Sequence, residues 1–206
     1  MSRQLMAGWI GGAIWTNNAE SPTQSFTAKW TVPPLPPADG QNLFLFISLE
    51  PITHTCLLQP VLQYGAYGPG GGNYWAVSNW WSYGWDYYYT TLIPVSPGRV
   101  LNGVIENTGQ WFTGWNYQSY FTDIGDPMRV YGIPRLDYAT ETFRAQYFLT
   151  TNDFPPAWTT FSNINMKLIG GWPVGLMWSP VNTPQDGLYS VINIQGAQGA
   201  EVTVVY

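Results

Sequence analysis

Charge is what this sequence has least of. Asp, Glu, Lys and Arg make up 9% of its 206 residues, against roughly 25% in ordinary globular proteins. The seven Lys and Arg residues are scattered singly, so no basic stripe tracks a phosphate backbone and nucleic acid is not expected as a partner. Cys56 is the only cysteine. An internal disulfide is therefore impossible, and a reducing compartment is acceptable. His54 is the only histidine and has no Cys or paired acid at ligand spacing. Neither a metal site nor a Ser-His-Asp triad is expected, and no cofactor. No apolar run approaches the roughly 18 residues of a membrane span, so no membrane partner is expected. The opening MSRQLMAGWIGGAIW lacks the apolar stretch and cleavage site of a signal peptide. There is also no Asn-x-Ser/Thr sequon. A cytoplasmic location is the resulting expectation.

What is present is apolar and aromatic. Aromatics reach 17% of the chain, enough to build one large core over residues 1–206 as a single domain. Phe26, Ala28, Trp30 and Val32 alternate with Thr27, Lys29 and Thr31, the period of a half-buried strand. Strand-like stretches follow at Asn42–Leu49, Leu57–Tyr64, Asn73–Trp81, Tyr87–Val95, Val100–Asn107, Trp111–Phe121, Thr142–Thr150, Phe161–Ile169, Tyr189–Ile194 and Glu201–Tyr206. Pro and Gly clusters such as VPPLPPADG and NDFPPAW separate them. No long helical pattern occurs. Many short strands at close spacing predict an all-β jelly-roll β-sandwich of two antiparallel sheets.

The segment Cys56–Trp81 carries the strongest functional signal. Two strand-like runs, joined by the turn-forming GPGGGN, place Gln59, Gln63, Ser78 and Asn79 among Leu, Val and Trp. Polar groups inside an apolar strand need partners or mark a ligand surface. Alternation puts Leu57, Gln59, Val61 and Gln63 on one face of their strand, and Thr142, Arg144, Gln146, Phe148 and Thr150 on one face of another. Phe143, Ala145, Tyr147 and Leu149 are then expected in the core. The Gly-rich run lacks a following Lys-Ser/Thr, so it reads as a turn and not as a phosphate loop. Cys56 reads as a buried small residue, sharing a strand face with His54.

Six short stretches, in order, resemble the glutamic peptidases of the eqolisin type. GWIGGA (Gly8–Ala13) is similar to the family's W-G-G-A, and FTAKWTVP (Phe26–Pro33) to its strand ending in V-P. FISLEP (Phe46–Pro51) stands where the family has W-x-G-I-D-G, and VLQYG (Val61–Gly65) resembles I-L-Q-x-G. IENTGQ (Ile105–Gln110) and AQYFLT (Ala145–Thr150) resemble L-E-N-x-T-T-G-Q and A-E-F/W-I-V-E. The resemblance implies a concanavalin A-like sandwich. It also implies that Gln63 holds the position of a catalytic glutamine, whose amide helps position water and stabilise an oxyanion.

The general base is missing at the matching position. Thr150 stands where the family's catalytic glutamate would be, Gln146 replaces a second acid, and Asn79 replaces a third near the cleft; Glu50 keeps an acid, as Glu for Asp. Glu141, Asp153 and Glu106 are the remaining acids to consider, none at the right spacing. With Met1 at a mature-like starting point, the prosegment that the family usually carries is not expected. The expectation is therefore a divergent, non-catalytic binder with a concave polar-aromatic groove. Trp9, Glu50, Gln63, Asn79, Trp80, Arg144, Gln146 and Thr150 are its candidate ligand-binding residues. Amides, hydroxyls and Trp faces with little charge suit a neutral carbohydrate first and a peptide second. The alternatives are a divergent acid endopeptidase, with Gln63 catalytic, or a self-assembling structural protein. Low charge density leaves a homo-oligomer open.

Overall fold

Alternation along the chain decides which side chains face each other across two sheets. The computed structural model describes residues 6–148, 153–184 and 187–206, with side chains from residue 11 onward except Phe148. The strands of the described residues are β1 (Met6–Thr16), β2 (Thr23–Thr31), β3 (Asn42–Glu50), β4 (Cys56–Tyr67), β5 (Gly70–Tyr83), β6 (Asp86–Tyr89), β7 (Ile93–Pro94) and β8 (Val100–Trp111). They continue as β9 (Gly114–Phe121), β10 (Ile124–Ile133), β11 (Tyr138–Phe148), β12 (Trp158–Leu168), β13 (Ser179–Val181), β14 (Tyr189–Ile194) and β15 (Ala200–Val205). One sheet runs β13-β1-β11-β3-β4-β5-β6, with β7 also on β5; the other runs β10-β9-β8-β2-β12-β15-β14. Every pairing between them is antiparallel. This is the expected all-β sandwich, and no described helix is long and apolar enough to cross a membrane.

The core lies between the two sheets. Phe26, Ala28 and Trp30 of β2 are sealed in it, as are Leu43, Leu45, Ile47 and Leu49 of β3. Trp30 packs on Phe121 and Phe161, while Phe26 stacks on Trp178 at 5.8 Å. The other face of the first sheet has an apolar layer of its own. Phe44, Phe46, Val61 and Trp80 form a second buried cluster, with Tyr67 packed against it. This agrees with the near-continuous apolar run of β3, NLFLFISLE, almost all of which is buried. One face of this central strand is covered by the opposite sheet, and the Phe44 end of the other by the tip of the β4–β5 hairpin.

Several boundaries differ from expectation, each for a local reason. Tyr87–Val95 is two pieces, not one strand. Trp80 pairs with Tyr89 but Val77 pairs with Ile93, a slip of one residue. At the slip the Thr90 hydroxyl accepts the Asn79 N–H at 2.9 Å in place of a ladder carbonyl. β10 and β13 contain Pro127 and Pro180 and went unread, yet both are edge strands, where a missing N–H is tolerated. β1 went unread because GWIGGA has no alternation. Phe143 and Ala145 are buried as expected, but Tyr147 is 46% exposed. Its φ of 59° breaks the alternation at a point where the β1–β11 register also shifts.

Candidate functional site

Paired residues of antiparallel strands share a face, so the register maps the outer surface of the first sheet. From one side to the other it presents Gly12 and Ile14 (β1), Tyr138, Thr140, Thr142 and Arg144 (β11), and Phe44, Phe46, Ser48 and Glu50 (β3). Val61 and Gln63 (β4) and then Ser78 and Trp80 (β5) continue it. The β4–β5 half is filled by the aromatic cluster. The β1–β11–β3 half is open, a cavity of about 280 Å³ walled by Ile14, Phe46, Leu57 and Val181.

Its floor is a ladder of hydroxyls. Ser48 Oγ lies 2.7 Å from Thr140 Oγ1, which lies 2.9 Å from Thr142 Oγ1. Arg144 lines one end and Glu50 with Tyr138 the other. Six residues of β11 separate the two ends, about 20 Å of extended strand. Glu50 Oε2 sits 2.9 Å from His54 Nδ1, and the His54 ring meets Tyr138 edge-on at 4.8 Å. Burial raises the Glu50 carboxyl above its ordinary value, while the His54 hydrogen bond and charge pull it partly back. The Tyr138 phenol is raised too, by burial first and then by the Glu50 charge. Glu50 also lines a second hollow of about 420 Å³ with Cys56, Ser82 and Tyr83, so its carboxylate sits between two cavities.

The structure divides the eight expected residues. Glu50 and Arg144 share the open groove. Gln146 lies beyond Arg144 on the same strand; with its amide oxygen toward the guanidinium, it accepts from Nη2 at 2.7 Å and from Nε at 3.3 Å. Trp80 is on this face but only 5% exposed. Tyr67 stacks on it at 6.0 Å and Phe44 and Tyr89 close its edges, so no indole face is offered to a ligand. Asn79 is not in the groove. It sits one residue from Trp80 and so points the other way, where its Nδ2 donates to the Asp126 carbonyl at 2.9 Å and ties β5 to β10 of the opposite sheet. Trp9 pairs with Ala145 through its backbone, and its side chain lies outside the described residues, as does all of Thr150.

Gln63 is 1% exposed. Its Nε2 donates to the carbonyls of Gly65 at 2.8 Å, Tyr67 at 3.0 Å and Gly70 at 2.8 Å. Those carbonyls form the tip of the β4–β5 hairpin, which folds back over the sheet at this point. Among the described residues the amide oxygen is buried without a partner, and no carboxylate hydrogen-bonds to this side chain. The amide at the resembled catalytic position is thus committed to the protein's own backbone.

Sequence reasoning missed the hydroxyl ladder and the Glu50–His54–Tyr138 group. A signal existed for the ladder: Thr140 and Thr142 alternate with Glu141 and Phe143, as a face does. The His54 pairing had none, because His54 lies in the turn before β4 at φ 52° and does not share a strand face with Cys56. Cys56 is buried, as expected, and burial pushes its thiol up to about 11.

No protein-family model matches this sequence, and no curated protein matches it. Its fold, however, is that of solved glutamic peptidases. Scytalido-glutamic peptidase, crystallised with a peptide-based transition-state analogue, superimposes with a TM-score of 0.60 at 14% identity, over 98% of this chain and 100% of the other. SCP-B, a member of the eqolisin family of peptidases in complex with the tripeptide Ala-Ile-His, does so with 0.57 at 16% identity, over the same shares. At such identities the likeness is one of fold.

Proposed function

We propose that this chain is a ligand-binding protein without peptidase activity, whose groove between β1, β11 and β3 takes a neutral, hydroxyl-rich ligand of the oligosaccharide class. The observation that carries the reading is the ladder Ser48–Thr140–Thr142 laid between Glu50 and Arg144 under apolar walls. Carboxylate, guanidinium and hydroxyl groups together donate to and accept from sugar hydroxyls, and the walls cover apolar ring faces. An extended peptide is less well served. β11 and β3 are each paired on both sides, so they have no free backbone edge to hydrogen-bond its main chain. The missing indole platform moves ring stacking from Trp80 to Tyr138, at the mouth of the groove.

A glycan array followed by calorimetry tests this. Glu50→Gln is expected to weaken binding about ten-fold and Thr140→Val about five-fold, the scale of one charged and one neutral hydrogen bond. Absence of binding, or binding indifferent to both changes, would reject the sugar reading.

The absence of peptidase activity rests on the sealing of Gln63 and on the threonine at position 150. Incubated with denatured protein from acidic to neutral pH, the chain is expected to release no fragments. Fragments that disappear with Gln63→Ala would replace this reading with that of an acid peptidase.

A further inference from the structure

Glu141 lines the groove only through its backbone and forms no ion pair among the described residues. It alternates with Thr140 and Thr142, so its side chain points into the sandwich directly beneath the groove floor. It is fully buried, and neither carboxylate oxygen reaches a hydrogen-bonding group of any other described residue. Its register neighbours are Ala13 on β1 and Ile47 on β3, and Ala139 and Phe143 flank it along β11. The opposite sheet turns Phe26, Phe161, Ile164, Val202 and Val204 inward.

No charged group among the described residues compensates it. Of the titratable groups near this face, Tyr206 stacks on Phe143 at 4.4 Å, bonds Thr159, and stays neutral because burial pushes it up to about 12. Asp137, ahead of the strand, is paired with Arg135. Glu50 and Arg144 lie on the far side of the sheet. The charged form is favoured only by Glu141's own backbone amide, and desolvation outweighs it, so the carboxyl is held well above its ordinary value of 4.5.

We propose that Glu141 is a proton-operated latch on the groove floor: protonated, it lets β1 close on β11; ionised, it loosens them. β1 is the strand concerned, because Ala13 lies opposite Glu141 in the β1–β11 ladder and on its other side β1 pairs only through Gly12–Ile14 with β13. The sign follows from linkage. The native state keeps a proton that the unfolded chain releases, so stability is full below about 4.5 and falls as pH rises toward the native value.

Thermal unfolding between pH 4 and pH 8, with hydrogen exchange on β1, provides the test. The melting temperature is expected to fall by roughly 3–5 °C per pH unit on the rising side, with exchange at residues 11–16 speeding over the same range. Glu141→Gln removes the ionisable group and is expected to flatten that slope, whereas any part due to Glu50 persists. Equal slopes in the two proteins would overturn the proposal. If the variant does not fold, infrared spectra of the glutamate-labelled native chain decide. A protonated acid carbonyl band at neutral pH upholds the latch, and a carboxylate band alone removes it. The test does not depend on what the groove binds: loss of all sugar binding with the slope intact would reject the sugar reading and leave the latch.

Discussion

Gln63→Ala is expected to cost about 2–4 kcal/mol of stability, because it removes the amide that holds three backbone carbonyls of the β4–β5 hairpin. An amide has two hydrogens, so one of the three contacts is shared, and the estimate reflects two full bonds plus the desolvation left on the carbonyls. The damage should be local. Gly68 packs against Trp80 and Tyr89, and Tyr67 stacks on Trp80, so a loosened tip exposes Trp80. A red shift and increased quenching of tryptophan fluorescence, with a lower denaturation midpoint, would report it. Gln63→Glu should be worse at neutral pH than in acid, since a carboxylate would face the same carbonyls. A glutamine held in place for chemistry or ligand contact would behave in the opposite way, losing function while the fold kept its stability. A Gln63→Ala chain as stable as the parent would therefore reject the structural role assigned here.

Gly12→Ala is expected to be at least as damaging. A Cβ at this position would stand 1.8 Å from the Glu141 carbonyl oxygen and 3.1 Å from the Thr142 Cα, both backbone atoms of the adjacent strand. No rotamer relieves that clash. β1 must move off β11, at a cost on the order of 3 kcal/mol, or roughly 6–12 °C in melting temperature for a chain of this length. Groove binding should fail with it, because Gly12, Thr140 and Thr142 lie together on its floor. Gly40→Ala is a useful comparison: its Cβ would meet nothing, although its φ of 95° still strains the backbone. A Gly12→Ala chain that melts within a degree or two of the parent would show that β1 does not pack on β11 as described.

The two substitutions also mark what was readable beforehand. GWIGGA stood out as a motif, but Gly12 explains itself only when β11 lies against it, and Gly11 only when Val204 of the opposite sheet does. Gln63 stood out as a polar residue in an apolar run, and it does have partners. They come from residues two to seven positions further along, brought back by a hairpin whose glycines at 65, 68, 70 and 71 all take positive φ. The sequence showed the turn but not the way it curls over the sheet. Asn79 and Trp80 were both assigned to the groove, although neighbouring strand residues face opposite ways. Alternation alone excluded one of them, and only the contact with Asp126 tells which.

Composition and periodicity were sufficient for the class of fold. Alternating apolar residues, Pro and Gly punctuation and the absence of helical runs leave a two-sheet sandwich as the way to bury so many aromatics. Which parts of the outer face of the first sheet are open was settled elsewhere. Trp80 disappears beneath Tyr67, Gln63 beneath the hairpin tip, and the space that remains lies between β1, β11 and β3. Glu141 is the sharpest case. In the sequence it is one acid among twelve, and in the fold it is a carboxyl sealed among apolar side chains with no counter-charge among the described residues. Local sequence determines the face on which a side chain lies, because that depends on backbone period. What covers that face depends on residues distant in the chain, and only tertiary structure brings them together.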